Sequence, residues 1–97
     1  MTIYFITRHA GAVEWAKQQG LAVDQMLSHL DTQSLCAGDT VIGTLPVHMV
    51  AELTELGVKY LHLTMDLPEH LRGKELSAAD MQDAGVFLQA YQASKVD

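Results

Sequence analysis

Arg8 and His9 follow a short apolar run, within Thr7-Arg8-His9-Ala10-Gly11, and directly precede a stretch with helical spacing. A permanently charged guanidinium, an imidazole that exchanges a proton near neutrality and a flexible backbone at a helix start are together suited to holding a phosphate and moving a proton. The plainer alternative is structural, with Arg8 paired to an acidic neighbour and His9 capping the helix. Two further loops favour the chemical reading. Gly43-Thr44-Leu45-Pro46 offers a backbone open to close approach, a hydroxyl and the start of another helix, although it could be a simple strand-to-helix connection. Leu67 to Leu76 carries Arg72, Gly73 and Lys74, and here a solvated charged stretch is the commoner meaning.

Other residues weigh less. Trp15 on the first helix belongs in the core or against a partner more readily than stacked on a base. His62 reads as a satisfied, half-buried side chain within a strand. His29 with Asp31, and His48, could orient a phosphate or a water. No pair of His or acidic residues shows diagnostic ligand spacing, so neither a metal nor a cofactor is expected.

The elements that must position the loops follow from periodicity. Ile3-Tyr4-Phe5-Ile6 is β-branched and aromatic without polar alternation, the pattern of a strand covered on both faces. A helix follows, with Ala12, Val13 and Ala16 inward and a stop at Gly20. Met26-Leu27, continued by His29-Leu30-Asp31, could be a short edge strand. Thr40-Val41-Ile42 is a second buried strand, and Pro46 to Leu56 a second helix with Met49, Val50, Leu53 and Leu56 on one side and Gly57 as its end. Val58 to Met65 forms a third strand, with Leu61, Leu63 and Met65 on one face and Tyr60, His62 and Thr64 on the other. Ser77 to Asp80 resembles a capping box, opening a helix that turns Met81, Ala84, Leu88 and Tyr91 inward. The order β-α-(β)-β-α-β-α predicts one α/β domain over 1–97, a Rossmann-like three-layer sandwich with a mainly parallel sheet. In such folds ligands bind beyond the carboxyl ends of the strands, where the winding reverses. The loops Thr7 to Gly11 and Gly43 to Pro46 lie there.

Composition narrows the partners. The 97 residues suit one core and carry a formal charge of −6, which opposes coating of long DNA or RNA. A small anion remains possible, because helix N-termini and a few basic groups can make a local positive site. No apolar run reaches the roughly 18 residues of a membrane span, and the N-terminus lacks the basic opening of a secretory signal. Cys36 is the single cysteine, which fits a reducing compartment, and a cytoplasmic location is expected.

Several separated motifs, in order, give the chain a resemblance: Ile6-Thr7-Arg8-His9, Gly11-Ala12-Val13-Glu14-Trp15, His29-Leu30-Asp31, Gly38-Asp39, Gly43-Thr44-Leu45-Pro46, Leu67-Pro68 and Arg72-Gly73-Lys74-Glu75-Leu76-Ser77. With them the chain resembles a small Csx-type family of CRISPR-associated proteins, found beside type III systems and counted among the ring nucleases. Ala10 departs from the pattern, where proline is common. The resemblance implies a homodimer that binds cyclic tetra-adenylate at its two-fold interface and opens the ring to end a signal. For such a reaction, loop placement makes Arg8 and Arg72 the expected phosphate contacts, and His9 a proton-transfer group or a donor to developing charge. Thr7, Gly11, Gly43, Thr44, Leu45, Pro46, Gly73 and Lys74 become ligand-binding positions.

Three rivals stand beside that expectation, one of them a purely structural partner protein with neither activity nor nucleotide binding. A protein of the same setting could sequester the cyclic nucleotide without cutting it. Alternatively, Arg8-His9 after a first strand is similar to the Arg-His-Gly signature of histidine phosphatases, but Ala10 interrupts it and the chain is short for that fold.

Overall fold

Tyr4 and Phe5 project from opposite faces of strand β1 (Ile3–Ile6), and both are buried, as an interior strand of a parallel sheet requires. The structure is a computed structural model that describes residues 2–7, 10–64 and 77–96. β1 lies between β2 (Gln25–Leu27) and β3 (Thr40–Gly43) and runs parallel to both. Next to β3 comes β4 (Lys59–Thr64), also parallel, and β5 (Phe87–Tyr91) closes the order β2-β1-β3-β4-β5 as an antiparallel edge.

Helix α1 (Ala10–Gln18) joins β1 to β2 on one side, and α2 (Val47–Leu56) joins β3 to β4 on the other. These connections progress in opposite directions across the sheet, so right-handed crossovers place the two helices on opposite faces. Alternation along the strands builds two cores accordingly. Phe5, Ile42 and Leu63 pack with Ala12, Trp15 and Ala16 of α1 and with Ala78 and Met81 of α3 (Ala78–Asp83). Tyr4, Val41 and Tyr60 pack with Val50 and Leu53 of α2, together with Leu35 and Val58. The result is the three-layer, mainly parallel sandwich read from the sequence. Trp15, 4% exposed, is a core residue.

Three expectations change. The last helix ends at Asp83, with Gly85 in the left-handed region at φ +69° just beyond its cap. Val86-Phe87-Leu88 then turns extended, so Leu88 enters the α1 core from β5 while Tyr91 is 52% exposed. The apolar residues at 81, 84, 88 and 91 fit helical spacing by coincidence, and the free edge of β4 claims the second half of that segment as a strand. Second, β2 ends at Leu27, and Asp31 caps a single 3-10 turn, Thr32–Ser34, by accepting from the Gln33 N–H at 3.0 Å. Third, Gly11 is not in a loop: it is the second residue of α1 and buried. The capping box is present, with Ser77 accepting from the Asp80 N–H and Asp80 accepting from the Ser77 N–H.

One buried charge ties the amino edge of the sheet together. Asp39, 5% exposed, accepts from the Cys36 N–H at 2.9 Å and the Thr2 N–H at 3.0 Å. These two donors hold its carboxyl below the ordinary 3.8, against the opposing effect of burial. A lowered folded-state value means that the carboxylate stabilises the fold at neutral pH and loses that contribution as pH falls through the folded value. Thermal unfolding of the parent should therefore shift to lower temperature below about pH 4. Asp39→Asn should melt lower at pH 7 and show a shallower acid dependence, and parallel melting curves for the two proteins across that range would contradict this role.

Candidate functional site

A sheet ordered 2-1-3-4-5 reverses its winding between β1 and β3, and the carboxyl ends of those strands border the crevice where such folds take ligands. A crevice of about 290 Å³ opens there, lined by Ile6 and Thr7 after β1, Ser28 and His29 after β2, and Thr44, Leu45 and Met49 from β3 into α2. Thr7 is held toward β2 by its N–H, which donates to the Leu27 carbonyl at 2.9 Å. Thr44 is exposed beside it in the crevice wall.

The approach of β1 and β3 requires glycine at its tip. A Cβ on Gly43 would lie 2.9 Å from the Ile6 carbonyl oxygen and 3.5 Å from the Ile6 Cβ. The first is a backbone atom and cannot swing away. Past that contact the chain turns through Thr44 and Leu45 to Pro46, which caps α2 with φ −59° and ψ 150°. The Pro46 carbonyl accepts from Met49 and Val50, and no side chain caps the first turn. The positive end of the α2 dipole therefore faces the carboxyl edge.

Tyr60 clasps this loop from the next strand. Its hydroxyl accepts from the Leu45 N–H at 2.9 Å, donates to the Gly43 carbonyl at 2.9 Å and lies 2.7 Å from Nδ1 of His62. The ring is buried at 3% exposure. Burial raises the phenol above its ordinary 10.0, with the Leu45 N–H pulling the other way, so the hydroxyl stays protonated and can donate at neutral pH.

Of the residues expected to form the site, Thr7, Thr44 and Leu45 share the crevice, and Gly43 and Pro46 shape its β3 rim. Gly11 sits inside α1. Arg8, His9, Arg72, Gly73 and Lys74 lie outside the described residues. His62 is half-buried with the Tyr60 hydroxyl as its partner, as the strand reading expected. The clasp itself was not foreseen, although Tyr60 in a strand buried on both faces needs a partner for its hydroxyl, and that was the available signal. Among the described residues no group of three or more His, Cys, Asp or Glu could hold a metal ion, and no helix is long and apolar enough to cross a membrane.

Fold and crevice define a small doubly wound α/β protein with a switch-point site. Residues 4–94 match the family model described as "Putative CRISPR-associated protein (Cas_VVA1548)", and the chain belongs to that CRISPR-associated family. No curated protein and no solved structure matches the chain.

Three substitutions probe the crevice wall and the clasp behind it. Gly43→Ala should destabilise the fold by about 1–3 kcal/mol through the clash with Ile6, measurable by chemical denaturation, whereas Thr44→Ala on the exposed position beside it should stay within about 0.5 kcal/mol. Tyr60→Phe should cost about 1–3 kcal/mol by leaving the Leu45 N–H and Gly43 carbonyl without the hydroxyl. Amide exchange should speed up most at Leu45, and an unchanged rate there would show that the clasp does not order the loop.

Proposed function

We propose that this protein is a ring nuclease that binds cyclic tetra-adenylate at the β1/β3 switch point of a homodimer and cleaves it, switching off type III CRISPR signalling. The observation that carries the reading is the convergence of Thr7 and Thr44 on one crevice at that point, in a chain of a CRISPR-associated family. Residues of the proposed machinery, Arg8 and His9, directly follow Thr7 in the chain. A cyclic tetranucleotide can be two-fold symmetric, and a two-fold dimer presents each loop twice.

In the reaction a ribose 2′-hydroxyl oxygen bonds to the adjacent phosphorus as the bond from phosphorus to the 5′-oxygen breaks. The proton leaves the 2′-hydroxyl, a proton is taken up by the departing 5′-oxygen, and the products are a 2′,3′-cyclic phosphate and a 5′-hydroxyl. Such a displacement needs in-line alignment and stabilisation of charge on the phosphate more than covalent help. Arg8 and Arg72 contact the phosphate, and His9 either moves the proton or donates to the developing charge. Thr44, the Gly43 backbone and the α2 N-terminus position the ligand, with Thr7, Leu45, Pro46, Gly73 and Lys74 completing the contacts.

Purified protein incubated with a large molar excess of cyclic tetra-adenylate, with and without chelator, should convert many equivalents of ring to linear products resolved by chromatography. Arg8→Ala and His9→Ala, checked for folding, should each slow cleavage by about 10²–10⁴-fold. Parental rates in both variants remove these roles. Stoichiometric binding without turnover identifies a sequestering protein, and absence of binding ends the reading.

A further inference from the structure

A second cavity, of about 280 Å³, opens on the other side of Leu45, which also lines the switch-point crevice. Its walls include Leu45 of the β3–α2 turn, Val47 at the start of α2, Tyr60 and His62 of β4, Tyr91 at the end of β5 and Gln92 just after it. The lining is mostly apolar and aromatic, with few polar groups, the make-up of a pocket for a flat organic ring. Tyr91 is 52% exposed although it packs edge-to-face on His62, ring centroids 5.7 Å apart at 90°. Two rings at a right angle form a corner, and a planar base resting on one wall turns its edge to the other.

Counting hydrogens defines the polarity of that corner. The single Tyr60 hydroxyl proton goes to the Gly43 carbonyl, and its oxygen already accepts from Leu45. Nδ1 of His62, 2.7 Å from the same oxygen, must then carry the hydrogen. In the neutral imidazole Nε2 is left as a pure acceptor. It has no hydrogen-bond partner among the described residues, and no buried polar side-chain atom among them is unsatisfied, so Nε2 is reached by solvent. An acceptor in an aromatic corner selects an exocyclic amine over a carbonyl, and Gln92, which also lines the cavity, carries the amide type that pairs with the edge of adenine elsewhere.

We infer that this pocket is a subsite for an adenine base, with Tyr91 and His62 as its walls and His62 Nε2 as the acceptor for the amine. The inference rests on the ring-nuclease reading for the identity of the whole ligand. It adds where one base sits: a nucleotide whose phosphate occupies the crevice reaches over Leu45 into the pocket. Tyr60 links the two, since one hydroxyl holds the crevice loop and orients the base-reading imidazole.

The test measures affinity of the full chain for cyclic tetra-adenylate and for adenosine and inosine 5′-monophosphates. The parent should prefer the adenine over the hypoxanthine mononucleotide by about tenfold. Tyr91→Ala, at a half-exposed position, should weaken adenine ligands by roughly 5- to 100-fold. His62→Phe keeps a ring wall and should abolish the preference while retaining binding, with circular dichroism confirming the fold. If the parent binds the cyclic ring and both variants match it, the subsite is wrong and the ring-nuclease reading survives. A mononucleotide preference lost in His62→Phe, without affinity for the ring, keeps the subsite and removes the larger reading. Should Tyr91→Ala instead dissociate a dimer in sedimentation and leave nucleotide affinity intact, a second copy covers this face and the subsite is overturned.

Discussion

β1 and β3 are neighbours in space but belong to halves of the sheet that wind in opposite directions, and the chain must leave both strands at the same edge. The space between the departing loops is the crevice. Its existence depends on how closely the two strand ends approach, and that approach leaves no room for a Cβ at Gly43 against the Ile6 carbonyl. A side chain at Gly43 would push β3 away from β1, and with it Leu45 and the start of α2. The whole carboxyl edge thus depends on the absence of a side chain at Gly43, and Tyr60 secures the loop just beyond it from the adjacent strand.

Charge is arranged along the same axis. Lys17 lies in the last turn of α1 and Lys59 opens β4, so both belong to the amino edge of the sheet. α1 and α2 both begin at the carboxyl edge, which turns their positive dipole ends toward the crevice. A chain with a formal charge of −6 can in this way offer an anion a favourable local field without the broad basic surface that long nucleic acids select. Net charge describes the far field, whereas a phosphate at a helix start responds to donors within a few ångströms.

Much of this was legible from residue order alone. Short runs at Ile3–Ile6 and Thr40-Val41-Ile42 identify strands buried on both faces, which the structure extends in the second case to Gly43, and their alternation with helical spacing leads to the doubly wound sandwich and hence to its switch point. Three features escaped for definable reasons. Met81, Ala84, Leu88 and Tyr91 satisfy a helical period, and only the left-handed Gly85 followed by Val86-Phe87-Leu88 argues otherwise. Local periodicity could not anticipate that β4 would need a partner on its outer edge. The Tyr60 clasp depends on contacts 15 and 17 residues distant, and Asp39 reaches Thr2 across 37. A polar residue placed by such pairings looks in sequence like any other turn or strand residue.

β5 is therefore more than an edge. It runs antiparallel, so its end, not its start, lies beside the beginning of β4, and Tyr91 pairs with Tyr60 while Gln89 pairs with His62. A parallel last strand would have left its carboxyl end at the other edge, away from Tyr60. Reversal brings an aromatic ring to the side of the sheet that α2 leaves partly open, next to the imidazole whose tautomer the Tyr60 hydroxyl dictates. Leu88 on the opposite face anchors the strand in the α1 core. The same five residues thus complete one hydrophobic layer and furnish a wall of the pocket on the other, which explains in physical terms why a segment with helical periodicity is held as a strand.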